Sequence, residues 1–152
     1  MKIRQDFAVV KDPFSGHEYV VVPPIVPDVA IVHGTLGDRF GGLVLDSTRN
    51  DRLLAMAAKK TIAVVEKLVE PDQVLPGKHG VYTSAIHTDA VVLAPHGAHP
   101  TACRDHYPPD ALHIMAYVQA AANEQAFRDY LDHYIYKPAD HQEYLRLVGV
   151  EV

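Results

Sequence analysis

Cysteine is nearly absent: the 152 residues contain one, Cys103. That excludes an internal disulfide and fits a reducing, cytoplasmic compartment. No apolar run approaches the ~20 residues a membrane span requires. Residues 1–6 lack a signal peptide's apolar stretch. Basic charge is also scarce. Fourteen Lys and Arg stand against nineteen Asp and Glu, a net charge of −5, which argues against the basic face that nucleic acid demands. Repeats and low-complexity tracts are missing too. What is present is a hydrophobic content of 48% against 22% charged residues, enough to exclude intrinsic disorder. The length sets a single domain, residues 1–152, able to bury ~70% of the surface its unfolded chain exposes. Eleven prolines break it into short elements, and ten histidines require an explanation.

The first two-thirds reads as short strands between turns. The β-prone residues 7–10 and 19–22 flank Asp12-Pro13-Phe14-Ser15-Gly16. Proline there fixes φ and glycine supplies a permissive position, so the segment reads as a β-hairpin. Residues 29–32, 61–65 and 89–94 each carry a short continuous apolar run, opened by Thr61 in the second and Asp89 in the third. Such runs suit strands buried on both faces of a parallel sheet. Residues 33–42 and 74–84 read as loops. Residues 51–60 read as a crossover helix ending on two lysines, where the helix dipole favours them. After residue 110 the period changes to that of helices. Residues 110–122 form one, and Asn123 caps a second with Phe127, Tyr130, Leu131 and Tyr134 on one face. Asp140 with Glu143 makes a capping-box pattern opening a third. The expected class is α/β: a mixed, partly parallel sheet of four or five strands with a crossover helix and a C-terminal helical tail.

In such a sheet, ligands bind at the carboxyl ends of the strands. The loops at 33–42 and 95–101 occupy that position and are expected at one edge of the sheet. Gly34, Gly37, Gly41 and Gly42 either let backbone amides approach a ligand or make tight turns. Neither a dinucleotide fingerprint nor a P-loop is present. His33 closes the first of these strands, as acid, base, orienting donor or structural group. Glu66 closes the second, as a catalytic carboxylate or a cap. His96, His99, Cys103 and His106 form H-x2-H-x3-C-x2-H, whose donors suit zinc. The spacing misses the usual paired knuckles and Pro100 stiffens its middle, so solvated or backbone-bonded histidines, and no metal, are expected. Cys103 has no base placed beside it to make it a nucleophile. Tyr130 and Tyr134 read as core or interface. Asp110, Tyr117 and the remaining histidines read as ordinary surface or helix residues.

Several phrases fit one family. Asp12-Pro13-Phe14-Ser15-Gly16, the run from Val22-Pro23-Pro24 to Ile31-Val32-His33, and Gly37-Asp38-Arg39-Phe40-Gly41 make one series. Ala57-Ala58-Lys59-Lys60 through Val65-Glu66, Asp89-Ala90-Val91-Val92, and Ala94-Pro95-His96-Gly97-Ala98-His99-Pro100-Thr101 make another. In this order, with Tyr130-Leu131-Asp132 and Glu143-Tyr144-Leu145 in the tail, they resemble the A (alpha) subunit of family I coenzyme A transferases of the glutaconate and 3-oxoacid type. The resemblance covers nearly the whole chain. It implies an α/β domain matching roughly the C-terminal half of that subunit, since the family's opening GGF-like motif is missing. It implies transfer of coenzyme A from an acyl thioester to a free carboxylate, with the thioester as substrate and no bound cofactor.

The family's nucleophilic glutamate sits in a Ser-Glu-Asn-Gly string on the B subunit, and no such string occurs here. The resemblance therefore implies a catalytic residue on a partner, with this chain inactive alone. The expected partners are the B subunit, together with the missing N-terminal half of the A subunit, in an oligomer without nucleic acid or membrane. The expected substrate-binding residues are His33, Gly34, Gly37, Gly41, Gly42, Glu66, Gly97, Ala98 and His99, although similar transferases carry Asn where this chain has Gly42. Relatives in sterol ring degradation lack the glutamate and hydrolyse a carbon–carbon bond in a CoA thioester. A hydrolase is thus the alternative activity. A non-catalytic binding or assembly module is the alternative from another class.

Overall fold

The structure is a computed structural model describing residues 6–150. The hairpin is present as β1 (Ala8–Lys11) and β2 (Glu18–Val21), paired antiparallel from Ala8↔Val21 to Lys11↔Glu18. Its turn is organised by the Asp12 carboxylate, which accepts from the amides of Phe14 and Ser15. Gly16 takes the left-handed conformation, φ 75°. The two strands form a sheet of their own and are solvent-exposed on both faces.

The main sheet has five strands: β3 (Ala30–Gly37), β4 (Leu43–Asp46), β5 (Thr61–Leu68), β6 (Gly80–Thr83) and β7 (Ala90–Leu93). Their order is β6-β4-β3-β5-β7. β3, β5 and β7 are mutually parallel, β4 pairs antiparallel with β3, and β6 pairs antiparallel with β4, so β4 alone runs against the other four. The mixed, partly parallel α/β sheet is therefore as expected. Helix α1 (Asp51–Ala57) lies on the way from β4 to β5. The buried core is Val32, Leu43, Leu45, Ala55, Ala63 and Val65, with Val81 and Val91 against it. Thr61 locks the start of β5: its amide donates to Asp89 Oδ2 (2.7 Å) and its hydroxyl to the Ala55 carbonyl (3.3 Å).

Three expectations need correction. Residues 33–42 are not one loop, because β3 continues through Gly37 and β4 begins at Leu43. Glycine is required in these strands by close approach. A Cβ at Gly34 would stand 2.9 Å from the Val44 carbonyl oxygen, and one at Gly37 would stand 2.9 Å from Val65 Cγ1. The β3–β4 register slips between Gly34 and Leu36, where Thr35 bulges, a usual companion of strand glycines. Residues 74–84 likewise hold β6 at Gly80–Thr83. Finally, the apolar runs are not covered on both faces. Val32 is 2% exposed but its neighbour Ile31 is 69% exposed, and on the edge strand β7 Val92 and Leu93 are exposed as well.

Three helices follow: α2 (Ala111–Ala121), α3 (Glu124–Leu131), prolonged by a π-helical turn at Asp132–Tyr136, and α4 (His141–Leu147). Asp110, Asn123 and Asp140 cap them through the amides of His113, Ala126 and Glu143. The reciprocal half of the last box is shifted by one residue, since Glu143 takes the amide of Ala139. This tail is tied to the loop after β7. The amide of Asp110 donates to the Pro100 carbonyl (3.0 Å), and His141 Nε2 donates to that of Pro95 (2.6 Å).

The turn joining β3 to β4 rests on one side chain. Asp38, 5% exposed, accepts through Oδ1 from the amides of Phe40 (2.7 Å) and Gly42 (3.1 Å). Replacing it with Ala strands those donors, so Asp38→Ala is expected to lower unfolding free energy by ~1–3 kcal/mol in urea titration. The exposed Asp28–Lys59 pair, 2.7 Å apart, sets the contrast: Asp28→Ala should change stability by less than ~1 kcal/mol. Equal losses would refute the role given to Asp38.

Candidate active-site centre

Glu66 comes at the carboxyl end of β5, and its side chain is 8% exposed. A carboxylate so buried needs donors, and three arrive from separate parts of the chain. His33 Nε2, from the middle of β3, donates to Oε1 at 2.7 Å. The Tyr107 hydroxyl donates to the same oxygen at 2.5 Å. The His96 amide donates to Oε2 at 2.6 Å. His96 has φ 54°, in the left-handed region.

Tyr107 is held on every side. Its ring stacks on that of His96 with centroids 4.3 Å apart. Its hydroxyl oxygen accepts from the Ala98 amide at 3.0 Å. Its backbone pairs with Cys103 in both directions, at 3.1 and 3.0 Å. Burial first, then the hydrogen bond to Glu66, pushes its phenol far above the ordinary range. Burial, reinforced by the charges of Glu66, Asp46 and Asp105, pushes the Cys103 thiol up to about 11. Cys103 is therefore a protonated thiol at neutral pH, not an activated nucleophile.

His33 and Cys103 line a groove of about 310 Å³ whose other wall carries His79, Arg104, Asp105 and His106. Arg104 is anchored there on Asp46 Oδ2 (3.2 Å) and on the Thr48 hydroxyl (3.2 Å). With Nε2 donating to Glu66, Nδ1 is the atom His33 has left for a further partner, an acceptor in the neutral ring and a donor in the protonated one. A ring fixed in this way can accept a proton from, or donate one to, a group in the groove.

The expected site residues thus divide. His33, Glu66 and the Gly97-Ala98 backbone come together. His99 does not join them: its Nδ1 accepts from the Tyr144 hydroxyl (2.6 Å) and its Nε2 donates to Asp110 Oδ2 (3.3 Å). Gly41 and Gly42 spend their amides on Asp38, and Gly34 and Gly37 lie within β3. His96, His99, Cys103 and His106 go to different places: a stack on Tyr107, the helical layer, the buried floor and the groove wall. Two readings of ordinary residues are corrected. Asp110 caps α2 and holds His99, and His113 is buried against Tyr130 and Tyr134. Burial, then the neighbouring His99, lowers the His113 pKa. Tyr107 was missed altogether. Its one sequence signal is an aromatic ring in an otherwise polar loop, directly before Pro108-Pro109.

Residues 9–94 match the family model for coenzyme A transferase. The chain belongs to the coenzyme A transferase family. Among its relatives, the A subunit of glutaconate CoA-transferase from Acidaminococcus fermentans is 31% identical over 147 residues, covering 94% of this chain and 45% of that one. The cholesterol ring-cleaving hydrolase IpdA subunit of Rhodococcus jostii is 29% identical over 120 residues, covering 76% of this chain and 40% of that one. The crystal structure of glutaconate coenzyme A-transferase from A. fermentans superposes with a TM-score of 0.78 at 28% identity, over 97% of this chain and 49% of the other. The chain spans less than half the length of these relatives. His33 and Glu66 fall inside the family match, whereas His96, Ala98 and Tyr107 lie beyond its end. Among the described residues no helix is long and apolar enough to cross a membrane.

The state of Cys103 is open to direct measurement. Alkylation by iodoacetamide should be slow at pH 8 and accelerate through pH 9 to 11, since the folded thiol ionises near 11 rather than 9.0. A rate already level by pH 9 would show a thiolate incompatible with this environment.

Proposed function

We propose that the chain is part of an acyl-CoA:carboxylate CoA-transferase. It forms one wall of the transfer cleft as a portion of an A subunit, and a B-subunit partner supplies the nucleophilic glutamate. The observation that carries this reading is the engagement of both Glu66 oxygens. A nucleophilic carboxylate must aim a free lone pair at the thioester carbonyl. Glu66 accepts three hydrogen bonds and is nearly buried. It is suited to fixing other groups rather than to attacking, so the nucleophile comes from elsewhere.

In this scheme the partner's glutamate adds to the thioester carbonyl, the tetrahedral intermediate collapses, and CoA thiolate leaves behind an acyl-glutamyl anhydride. The thiolate then attacks the glutamyl carbonyl and releases the first carboxylate as free acid. The resulting glutamyl-CoA thioester passes CoA to the acceptor acid by the same two steps in reverse. Each addition builds charge on a carbonyl oxygen, which preorganised donors stabilise best in a dry cleft. His33 serves as such a donor when Nδ1 carries a proton besides the Nε2 proton held by Glu66, with the Gly97-Ala98 backbone beside it. Glu66 and His99 position the elements that carry them. Gly34, Gly37, Gly41 and Gly42 let β3 and β4 close up behind. The coenzyme A thioester is substrate, and no further cofactor enters. The exposed Ile31, Val92 and Leu93 support burial against the remaining part of the A subunit in a heteromeric, cytoplasmic enzyme.

Similarity to a ring-cleaving hydrolase subunit supports a second reading, in which water cleaves a carbon–carbon bond of a CoA thioester. A non-catalytic assembly module is the remaining alternative. Trapping separates the three. The chain reconstituted with its partner chains is turned over with acyl-CoA, quenched with hydroxylamine and mapped by mass spectrometry. The expected adduct is on a partner glutamate, and none forms with this chain alone. Glu66→Gln should cost ~10²-fold or more in kcat/KM through loss of His33 orientation. An adduct on Glu66 would overturn the assignment. Ring cleavage without any adduct would establish the hydrolase, and a complex that turns over neither substrate class would establish the module.

A further inference from the structure

A second constellation lies away from Glu66, where the loop after β7 meets the helical tail. The donor atoms of His99, Asp110 and His113 all lie within 4.8 Å of one another. His99 Nε2 and Asp110 Oδ2 are already 3.3 Å apart. Two donors ~2.0–2.1 Å from a tetrahedral zinc ion are separated by ~3.4 Å, so this edge has ligand spacing, and His113 closes the third corner by moving nearer from within 4.8 Å.

The surroundings resemble the outer shell of a metal site. Metal-binding imidazoles use one ring nitrogen for the ion and tie the other to a hydrogen-bonding partner, which fixes tautomer and orientation. Both rings here have such a partner. His99 Nδ1 meets the Tyr144 hydroxyl at 2.6 Å, and His113 Nε2 meets that of Tyr130 at 2.8 Å. His99 Nε2 and His113 Nδ1 remain as ligands. Asp110 is fixed as well, because its Oδ1 accepts the His113 amide at 2.9 Å as the cap of α2 and leaves Oδ2 toward His99. The His99 side chain is 6% exposed and that of Asp110 35%, which leaves the ion a way in through the carboxylate. The other converging group, His33, Glu66 and Cys103, lacks this character. The oxygens of Glu66 already hold three donors, and Cys103 is a thiol.

We propose that His99, Asp110 and His113 bind a divalent metal ion, zinc by preference, which fastens the 95–101 loop to the C-terminal helices. Two imidazoles and one carboxylate match zinc, with a water completing the tetrahedron. Besides the closer approach of His113, binding needs a tautomer change at His99: the proton now shared between Nε2 and Asp110 moves to Nδ1, which then donates to Tyr144. The ion would sit three residues beyond His96, whose amide holds Glu66. This role for His99 differs from the H-x2-H-x3-C-x2-H pattern, since Asp110 and His113 replace His96, Cys103 and His106.

The test uses the untagged full chain, stripped with chelator and titrated with zinc chloride. One zinc per chain should remain after gel filtration, with a raised Tm. Cobalt(II) should show the visible absorption of a tetrahedral site. Asp110→Asn retains a side-chain oxygen to cap α2, so it should fold with unchanged circular dichroism while binding zinc at least ~100-fold more weakly. Absence of stoichiometric zinc in the wild type would overturn the proposal, as would undiminished affinity in Asp110→Asn. Loss of zinc on Cys103→Ser with Asp110→Asn unaffected would overturn it too, by placing the ion at His33, Glu66 and Cys103.

Discussion

The Glu66 carboxylate is the tie on which the site depends. Its two oxygens join three segments distant in sequence: β3 through His33, the turn after β7 through the His96 amide, and the loop beyond it through Tyr107. Charge-assisted bonds of this length are roughly twice as strong as neutral ones, but the consequence is geometric more than energetic. A buried carboxylate cannot release its donors without a large desolvation cost. His33, His96 and Tyr107 are therefore fixed relative to one another whatever the outer loop does. Tyr107 extends the tie by one step, because its oxygen also accepts from Ala98. The groove wall is rigid for the same reason that Glu66 is unavailable for attack.

A second constraint sets where His33 stands. On β3, Val32 packs into the core while Ile31 and His33 point to the opposite face. β5 runs alongside in register, with His33 level with Val64. Glu66 lies two residues beyond Val64 and shares its face, so the imidazole and the carboxylate meet without any loop intervening. The bulge at Thr35 and the glycines flanking it let β4 lie tightly against β3 on the other side. Asp38 then turns the chain back in five residues, 38–42. The glycines thus act by what they lack. Gly34 and Gly37 remove a Cβ where another strand already stands, Gly42 one where the Asp38 carboxylate stands, and Gly41 takes a left-handed φ of 100°.

Much of the scaffold was legible because it rests on local chemistry. The hairpin follows from Asp12-Pro13 and Gly16, and two helix starts follow from Asn123 and Asp140, each with a cap observed in place. The parallel strands follow from their apolar runs. β4 and β6 were not legible, because strands of four residues flanked by glycine give the same signal as loops. Burial of β3 and β7 was overestimated because composition reports what a surface prefers, not whether a neighbour covers it. Within the site, His33 and Glu66 were readable as the polar residues that follow apolar runs, although β3 continues past His33 to Gly37. Tyr107 and His113 were not, since each acts through a partner 41 or 17 residues away and no local periodicity encodes such a pairing.

The remaining asymmetry lies between the two faces of the sheet. One is closed by α1 and the packing of Leu43, Leu45, Ala63 and Val65. The other is covered only toward the carboxyl end, where a Cβ on Gly97 would lie 3.1 Å from Val64 Cγ1. Toward the amino end Ile31 stays open. The chain therefore completes the polar part of its site internally and leaves apolar sheet uncovered beside it. That is the division expected if the orienting groups belong to one chain and the attacking group to another. On the proposed reading, the carboxylate that stays still is enclosed by its own fold, while the one that reacts is presented from outside it.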